Sequence, residues 1–226
     1  MPFELDHVVP WGRCYDEYVQ MFALADAELA GRILGCGDGP ASFNSEATRR
    51  GITVVSCDPI YAFSASEIEQ RVRETSEVIL SETLRNQDDF LWTYFRSVEE
   101  LAEVRLRAMR RFIEDFPCGK SEGRYREAAL PVLPFADQEY DLALSSHFLF
   151  LYSAQLSLEF HVASIVEMCR VAGEARIFPL LQMGGAKSPH LDKVVETLVE
   201  RGLRVDIIEV PYEFQRGGNR MLRVVA

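Results

Sequence analysis

Three glycines at alternate positions, Gly35, Gly37 and Gly39, close a short apolar run and precede Pro40, and no other feature narrows the fold as far. Glycine at every second loop position lets backbone pass close to a ligand where side chains would collide with it. The apolar run at 31–34 reads as a buried strand. After the loop a helix is expected, with Pro40 in its first turn, running to about Arg50 and closed by Gly51. Residues Ile52 to Cys57 are mostly β-branched and apolar and form a second strand, bounded by Gly51 and by Asp58-Pro59. Strand, helix and strand in this order make a right-handed parallel unit, and open α/β sheets bind ligands at the carboxyl ends of such strands. Asp58 ends the second strand about twenty residues past the loop, the distance at which a carboxylate takes a ribose diol. An Asp-Pro turn explains the same residue without a ligand.

The rest of the chain repeats the alternation with one interruption. Tyr15, Tyr18, Val19, Phe22 and Leu29 share one side of an amino-terminal helix placed at 12–29. Two long helical patterns, opened by capping boxes at Ser64–Glu67 and Ser97–Glu100, fill an insertion at 62–120 with no strand between them. The aromatic run Phe90 to Phe95 lies between the two, either lining a substrate pocket or anchoring the insertion to the core. A third strand at 126–133 is interrupted by Pro131 and Pro134, which confine it to an edge. A fourth, 141–146, is apolar enough for the centre of a sheet. A helix ended by Gly173 leads to a fifth strand at 175–178, and Ser188-Pro189 cap a helix that closes at Gly202. Two final strands, 205–210 and 221–225, pair as a hairpin through Arg216-Gly217-Gly218-Asn219. The fold class expected is therefore α/β: a doubly wound, mostly parallel seven-stranded sheet with an antiparallel last strand and a helical insertion, one domain over 1–226.

Composition excludes several classes of function. With 226 residues, 48% of them hydrophobic and 26% charged, the chain can bury one sizeable core. A net charge of −11 without a dense Lys/Arg stripe argues against nucleic acid as partner. The 5 cysteines have neither CxxC pairing nor a Cys/His ligand spacing, so free thiols and no metal are expected. The opening Met1-Pro2-Phe3-Glu4-Leu5-Asp6 lacks the order of a secretion signal, and no apolar run approaches the ~20 residues of a membrane span. A cytoplasmic protein with no membrane partner is the expectation, monomeric or homodimeric.

Taken in order, these motifs resemble the class I family of S-adenosylmethionine-dependent methyltransferases. Ile33 to Gly39 is similar to the family's first motif, Val55 to Asp58 to its second, Leu133 to Leu142 to the approach to its central strand, and Glu167 to Gly173 to the turn before strand five. The terminal hairpin agrees with the family's reversed last strand. The resemblance implies S-adenosylmethionine as cofactor, its methionine part against Gly35, Cys36, Gly37, Asp38 and Gly39. It implies a ribose on Asp58, with Pro59 beside it, an adenine flanked at Leu130-Pro131, and Ser146-His147-Phe148 facing the sulfonium. The family carries an acidic residue two positions before the first glycine; here Ile33 stands there, so the ammonium must be met by Asp38 or a backbone carbonyl.

Methyl transfer asks mainly for in-line positioning and exclusion of water, and a base only where the acceptor loses a proton. His147 has the chemistry for that task; a structural histidine is the plainer alternative. Tyr152 and the group Trp92, Tyr94 and Tyr125 are candidates to line the acceptor pocket. Arg13 offers a forked donor pair for the cofactor carboxylate, or is an ordinary surface arginine before a helix. The Asn/Asp-Pro-Pro-aromatic tetrad by which the family marks methylation of exocyclic or amide nitrogens does not follow the fourth strand, so the resemblance implies a small-molecule acceptor rather than a nucleic acid or an amide. Two rivals stand beside this reading. One is a catalytically silent S-adenosylmethionine-binding module. The other is an NAD-dependent oxidoreductase, against which Pro40, in the place of a further glycine, and the final hairpin both speak.

Overall fold

The computed structural model describes residues 9–226, so the opening acidic segment lies outside the described residues. Seven strands form one sheet in the order β3-β2-β1-β4-β5-β7-β6. They are β1 (Arg32–Cys36), β2 (Thr53–Cys57), β3 (Tyr125–Arg126), β4 (Tyr140–Ser146), β5 (Ala172–Phe178), β6 (Arg204–Glu209) and β7 (Arg220–Val225). The first five are parallel, with Cys36 opposite Cys57 and Leu34 opposite Ala143, while β7 runs antiparallel between β5 and β6. The expected sheet, including its reversed last strand, is the one observed.

Alternation along β1 explains the two layers that flank the sheet. Leu34 and Cys36 pack into a core with α6 (Leu158–Val171) and α7 (Leu191–Glu200), through Ile165, Met168, Val194 and Leu198. Ile33 faces the other way, into a core with α1 (Tyr15–Met21) and α3 (Phe43–Arg49), through Tyr18, Met21, Phe43 and Ala47. Two long helices, α4 (Ala65–Arg85) and α5 (Val98–Ser121), fill the expected insertion and pack by Ile68, Val72, Met109, Phe112 and Phe116 around Tyr61 and Tyr125. Both begin on a serine, Ser64 and Ser97, that accepts a hydrogen bond from the third helical residue.

Several boundaries differ from the expectation, each for a local reason. The amino-terminal helix is two pieces, α1 and α2 (Asp26–Leu29), because Ala23 turns the chain at a φ of 46° so that Phe22 and Leu24 both bury. The helix after the glycine loop begins at Phe43 rather than Pro40, with Pro40 left in a turn. Only Tyr125 and Arg126 pair as β3: beyond them the prolines withhold N–H donors, and Leu130 and Leu133 turn into the core instead. Gly173 does not end a helix but lies inside β5, and α7 starts at Leu191 instead of at Pro189. Among the described residues no helix is long and apolar enough to cross a membrane, and no group of His, Cys, Asp and Glu is arranged to hold a metal ion.

Candidate active site

The chain crosses from one half of the sheet to the other between β1 and β4, and a crevice opens at the carboxyl ends of the strands there. It holds a cavity of about 560 Å³, roofed by Ile79 and Thr83 of α4 and by the segment before β7. Gly37, Asp38 and Gly39 form its floor. Gly37 takes a φ of +68°, and a Cβ there would sit 2.9 Å from the Phe148 ring. Gly39 takes a φ of +53°, and nothing lies within 4 Å of where its Cβ would be. Gly35 serves a different purpose, since its Cβ would fall 1.9 Å from Asp38 Oδ2: it leaves room for that carboxylate over the end of β1. Neither Gly35 nor Cys36 lines the cavity, and the Cys36 thiol is fully buried in the core with Cys57.

Of the three carboxylates that line this space, Glu74 belongs to α4, and Asp38 and Asp58 lie at the glycine floor. The Tyr18 hydroxyl donates to Asp38 Oδ1 at 2.8 Å and the Ser56 hydroxyl to Oδ2 at 2.6 Å. Burial, with the Asp58 charge adding to it against those two hydrogen bonds, pushes the Asp38 carboxyl up from 3.8 to about 6. Asp58 organises the loop itself, accepting from the Gly39 N–H at 2.9 Å and, as the cap of the short turn at Pro59–Ala62, from the Ile60 N–H at 2.8 Å. Its carboxyl is also raised by burial. Each oxygen of Asp58 keeps a lone pair for a further donor. Among the described residues neither aspartate has a cationic partner within salt-bridge distance.

His147 follows β4 in a left-handed conformation, φ 51°, which a side chain adopts only where its surroundings enforce it. Its N–H bonds the Phe178 carbonyl at 2.6 Å, and its Nδ1 lies 3.0 Å from the Ser146 hydroxyl. Burial, reinforced by the charges of Arg13 and Arg105, lowers its pKa well below 6.5, so the ring is neutral at pH 7. Ser146, Leu130 and Pro59 line the same cavity, as does Tyr152.

Arg13 reaches the cavity because Gly12 packs on the loop: a Cβ at Gly12 would meet the Pro40 carbonyl oxygen at 2.0 Å, and the Arg13 carbonyl accepts from the Ser42 N–H at 3.0 Å. Beyond it, the guanidinium of Arg105 pairs with Glu17, both fully buried, and Tyr212 donates to the other Glu17 oxygen at 2.9 Å. Arg105 and Tyr212 both line the cavity.

Three residues expected at the acceptor pocket are elsewhere. Trp92 stacks edge-on against Phe90 and Phe214, Tyr94 against Phe95 and Tyr212, and Tyr125 fills the core beneath α5. The aromatic run anchors the insertion, and only Phe90 of it reaches the cavity wall. Sequence reasoning missed Tyr18, Ser56, Arg105 and Tyr212. For Arg105 a signal existed: it sits between Leu101, Ala108 and Phe112 on the apolar stripe of α5, where an unpaired charge has no place.

No known family profile matches the chain. The uncharacterized protein MJ0045 of Methanocaldococcus jannaschii is 35% identical over 220 residues, 96% of each chain. A solved TehB-like SAM-dependent methyltransferase from Corynebacterium glutamicum aligns over 94% of this chain and 87% of its own, at 17% identity and a TM-score of 0.50. TnmH aligns over 93% of this chain at 12% identity and a TM-score of 0.49, and the chain spans 54% of its length. At such identities the likeness is one of fold, and the fold, with its strand order and reversed seventh strand, is that of the class I methyltransferases.

Proposed function

We propose a methyl-transfer function for this chain, which belongs to the family of MJ0045: S-adenosylmethionine occupies the cavity at the ends of β1, β2 and β4, and a small-molecule acceptor takes its methyl group. One observation carries the reading. Asp38 is a buried carboxylate at the glycine floor, raised to about 6 by burial, and among the described residues no cation stands within salt-bridge distance of it; a methionine ammonium is such a cation. A dinucleotide would instead bring its pyrophosphate against the Asp38 carboxylate at the glycine floor, where among the described residues no cation stands within salt-bridge distance.

The residues present fit the cofactor. Asp38 would hold the ammonium, supplying the charge that Ile33 cannot, the spare lone pairs of Asp58 would take the ribose hydroxyls, and Leu130 with Pro59 would flank the adenine. When bound, S-adenosylmethionine supplies a methyl group already activated on a sulfonium. What remains for the protein is to orient the acceptor, keep water out and accept a proton where one is lost. Neutral His147, held by Ser146 and Phe178, would accept that proton.

Calorimetry with S-adenosylhomocysteine tests this. Affinity should fall as the pH drops through about 6, with proton release on binding, since a cation at Asp38 favours its ionised form. Asp38→Asn should weaken binding about tenfold or more and abolish the pH dependence, as expected for a charge-assisted bond worth ~1.5–3 kcal/mol. 5′-Methylthioadenosine, which lacks the amino-acid tail, should bind parent and variant alike. S-adenosylhomocysteine that fails to bind, or binds with no regard to pH or Asp38, rules the reading out.

A further inference from the structure

We infer that Asn44 and Ser56 are positioning residues for the cofactor aspartate: a one-way chain of hydrogen bonds from Arg124 through Asn44 turns the Ser56 hydroxyl proton onto Asp38 Oδ2 and keeps that carboxylate an acceptor for the methionine ammonium. The inference rests on the methyl-transfer reading and adds two residues that do not line the cavity and so act through Asp38.

Each link of the chain has only one possible direction. A guanidinium donates and never accepts, so Arg124 Nη1, 2.9 Å from Asn44 Oδ1, fixes that atom as the amide oxygen. The other end of the amide agrees: Nδ2 lies 3.2 Å from the Val54 carbonyl and 3.1 Å from the Arg124 carbonyl, a place only an NH2 group tolerates. The same Nδ2 donates to Ser56 Oγ at 3.1 Å, its two hydrogens serving three acceptors with one bond shared. An amide NH2 group does not accept. Among the described residues the Ser56 proton therefore has one acceptor, Asp38 Oδ2 at 2.6 Å.

The fold supplies each member from a different element. Ser56 stands opposite Gly35 across β1 and β2, and the missing side chain of Gly35 leaves the space that Asp38 Oδ2 occupies. Asn44 lies in the first turn of α3. Arg124 directly precedes β3, and its fork holds the carboxylate of Asp115 in α5 at 2.7 and 3.1 Å. Asn44 and Ser56 are both buried, a costly place for an amide and a hydroxyl unless each is paired.

The chemistry follows from the direction. Both oxygens of Asp38 receive a donor, Tyr18 at Oδ1 and Ser56 at Oδ2. A neutral carboxyl would have to set its own proton against one of them, so a hydroxyl that cannot turn away favours the ionised form, the one that pairs with an ammonium. Burial pulls the other way. The other titratable groups that face Asp38 are Asp58 past β2, Tyr18 of α1, Cys36 at the end of β1 and Tyr61 in the turn after Asp58, and the variants below leave all of them in place.

Carboxyl-carbon NMR on the full chain with isotope-labelled aspartate, the Asp38 signal assigned by its loss in Asp38→Asn, follows this titration without cofactor. Ser56→Ala should raise the Asp38 midpoint by about one to two pH units, the size of a hydrogen bond to a charged group. Ser56→Thr, which keeps the hydroxyl, should restore the parent midpoint. Asn44→Ala should raise it by about a quarter to half a unit, the share expected of a neighbouring bond in a chain, and by nothing further once Ser56→Ala is present. The pH at which S-adenosylhomocysteine affinity falls, read by calorimetry, should move by the same amounts. A midpoint unmoved in Ser56→Ala overturns the inference without any variant at position 44, and Asn44→Ser takes the place of Asn44→Ala if the latter does not fold. A shift from position 44 that is absent, or equal with and without the Ser56 hydroxyl, also overturns it and leaves Asn44 a structural tie between α3 and β2. In these cases the methyl-transfer reading survives. A parent protein that binds no S-adenosylhomocysteine ends that reading, and the positioning role with it, whatever the titration shows.

Discussion

Asp38 carries opposite consequences for folding and for binding. Its folded carboxyl titrates near 6 rather than 3.8, so the native state holds the proton more tightly than the unfolded chain does. Ionisation therefore costs stability, nothing below about pH 4 and at most about 3 kcal/mol above about pH 6. Without cofactor, Asp38→Asn should unfold at a higher temperature than the parent at pH 7.5, and the difference should vanish near pH 4. Thermal denaturation at the two pH values reads this directly, and a variant less stable than the parent at pH 7.5 would show that the hydrogen bonds from Tyr18 and Ser56 outweigh the desolvation. Position 38 was legible in sequence as part of a glycine loop. Its isolation from cations was not, because that depends on Tyr18 and Ser56, residues brought beside it from α1 and β2 by the folding of the sheet. Asp58 was legible by spacing, though its second task, capping the turn at Pro59 and holding the Gly39 N–H, appears only in three dimensions. Asp58→Ala should therefore lower S-adenosylhomocysteine affinity and also cost about 1 kcal/mol of stability through the lost cap, both measurable by calorimetry and denaturant unfolding.

At the scale of elements, the Glu17–Arg105 pair ties α1 to α5 beneath the cavity, and Tyr212 joins the segment before β7 to both. Removing one partner leaves the other charge buried without compensation, so Arg105→Met should destabilise the protein by about 3–5 kcal/mol. The double variant Glu17→Leu with Arg105→Met should recover most of that loss in urea unfolding; a double variant as unstable as the single would mean that α5 depends on the arginine for packing alone. The helical insertion was readable because its capping serines and its apolar spacing agree, and local signals of that kind survive in one dimension. The third strand was overextended, and between pocket wall and anchor the aromatic run stayed open in the sequence, since both depend on what the rest of the fold offers as partners. Pro131 and Pro134 could not pair, and Trp92 and Tyr94 found Phe214 and Tyr212, more than a hundred residues away.

For the whole molecule, the order β3-β2-β1-β4-β5-β7-β6 brings the glycine loop, Asp58 and His147 to one rim, and no single segment encodes that meeting. The alternation of strands and helices and the closing hairpin sufficed to anticipate the architecture; the cavity needed the assembled chain. A ligand that binds only the folded form stabilises it by about 2.7 kcal/mol at a hundred times its dissociation constant. S-adenosylhomocysteine at that level should raise the melting temperature by roughly 5–10 °C for a chain of this size, and NADH should leave it unchanged. A crystal structure of the chain with S-adenosylhomocysteine shows where the cofactor sits and which way its amino-acid tail points. The expected result is the ligand at the ends of β1, β2 and β4, its ammonium within hydrogen-bond distance of the Asp38 carboxylate and its ribose on Asp58. Density that places the ligand outside this cavity, or turns its amino-acid tail away from Asp38, would contradict it.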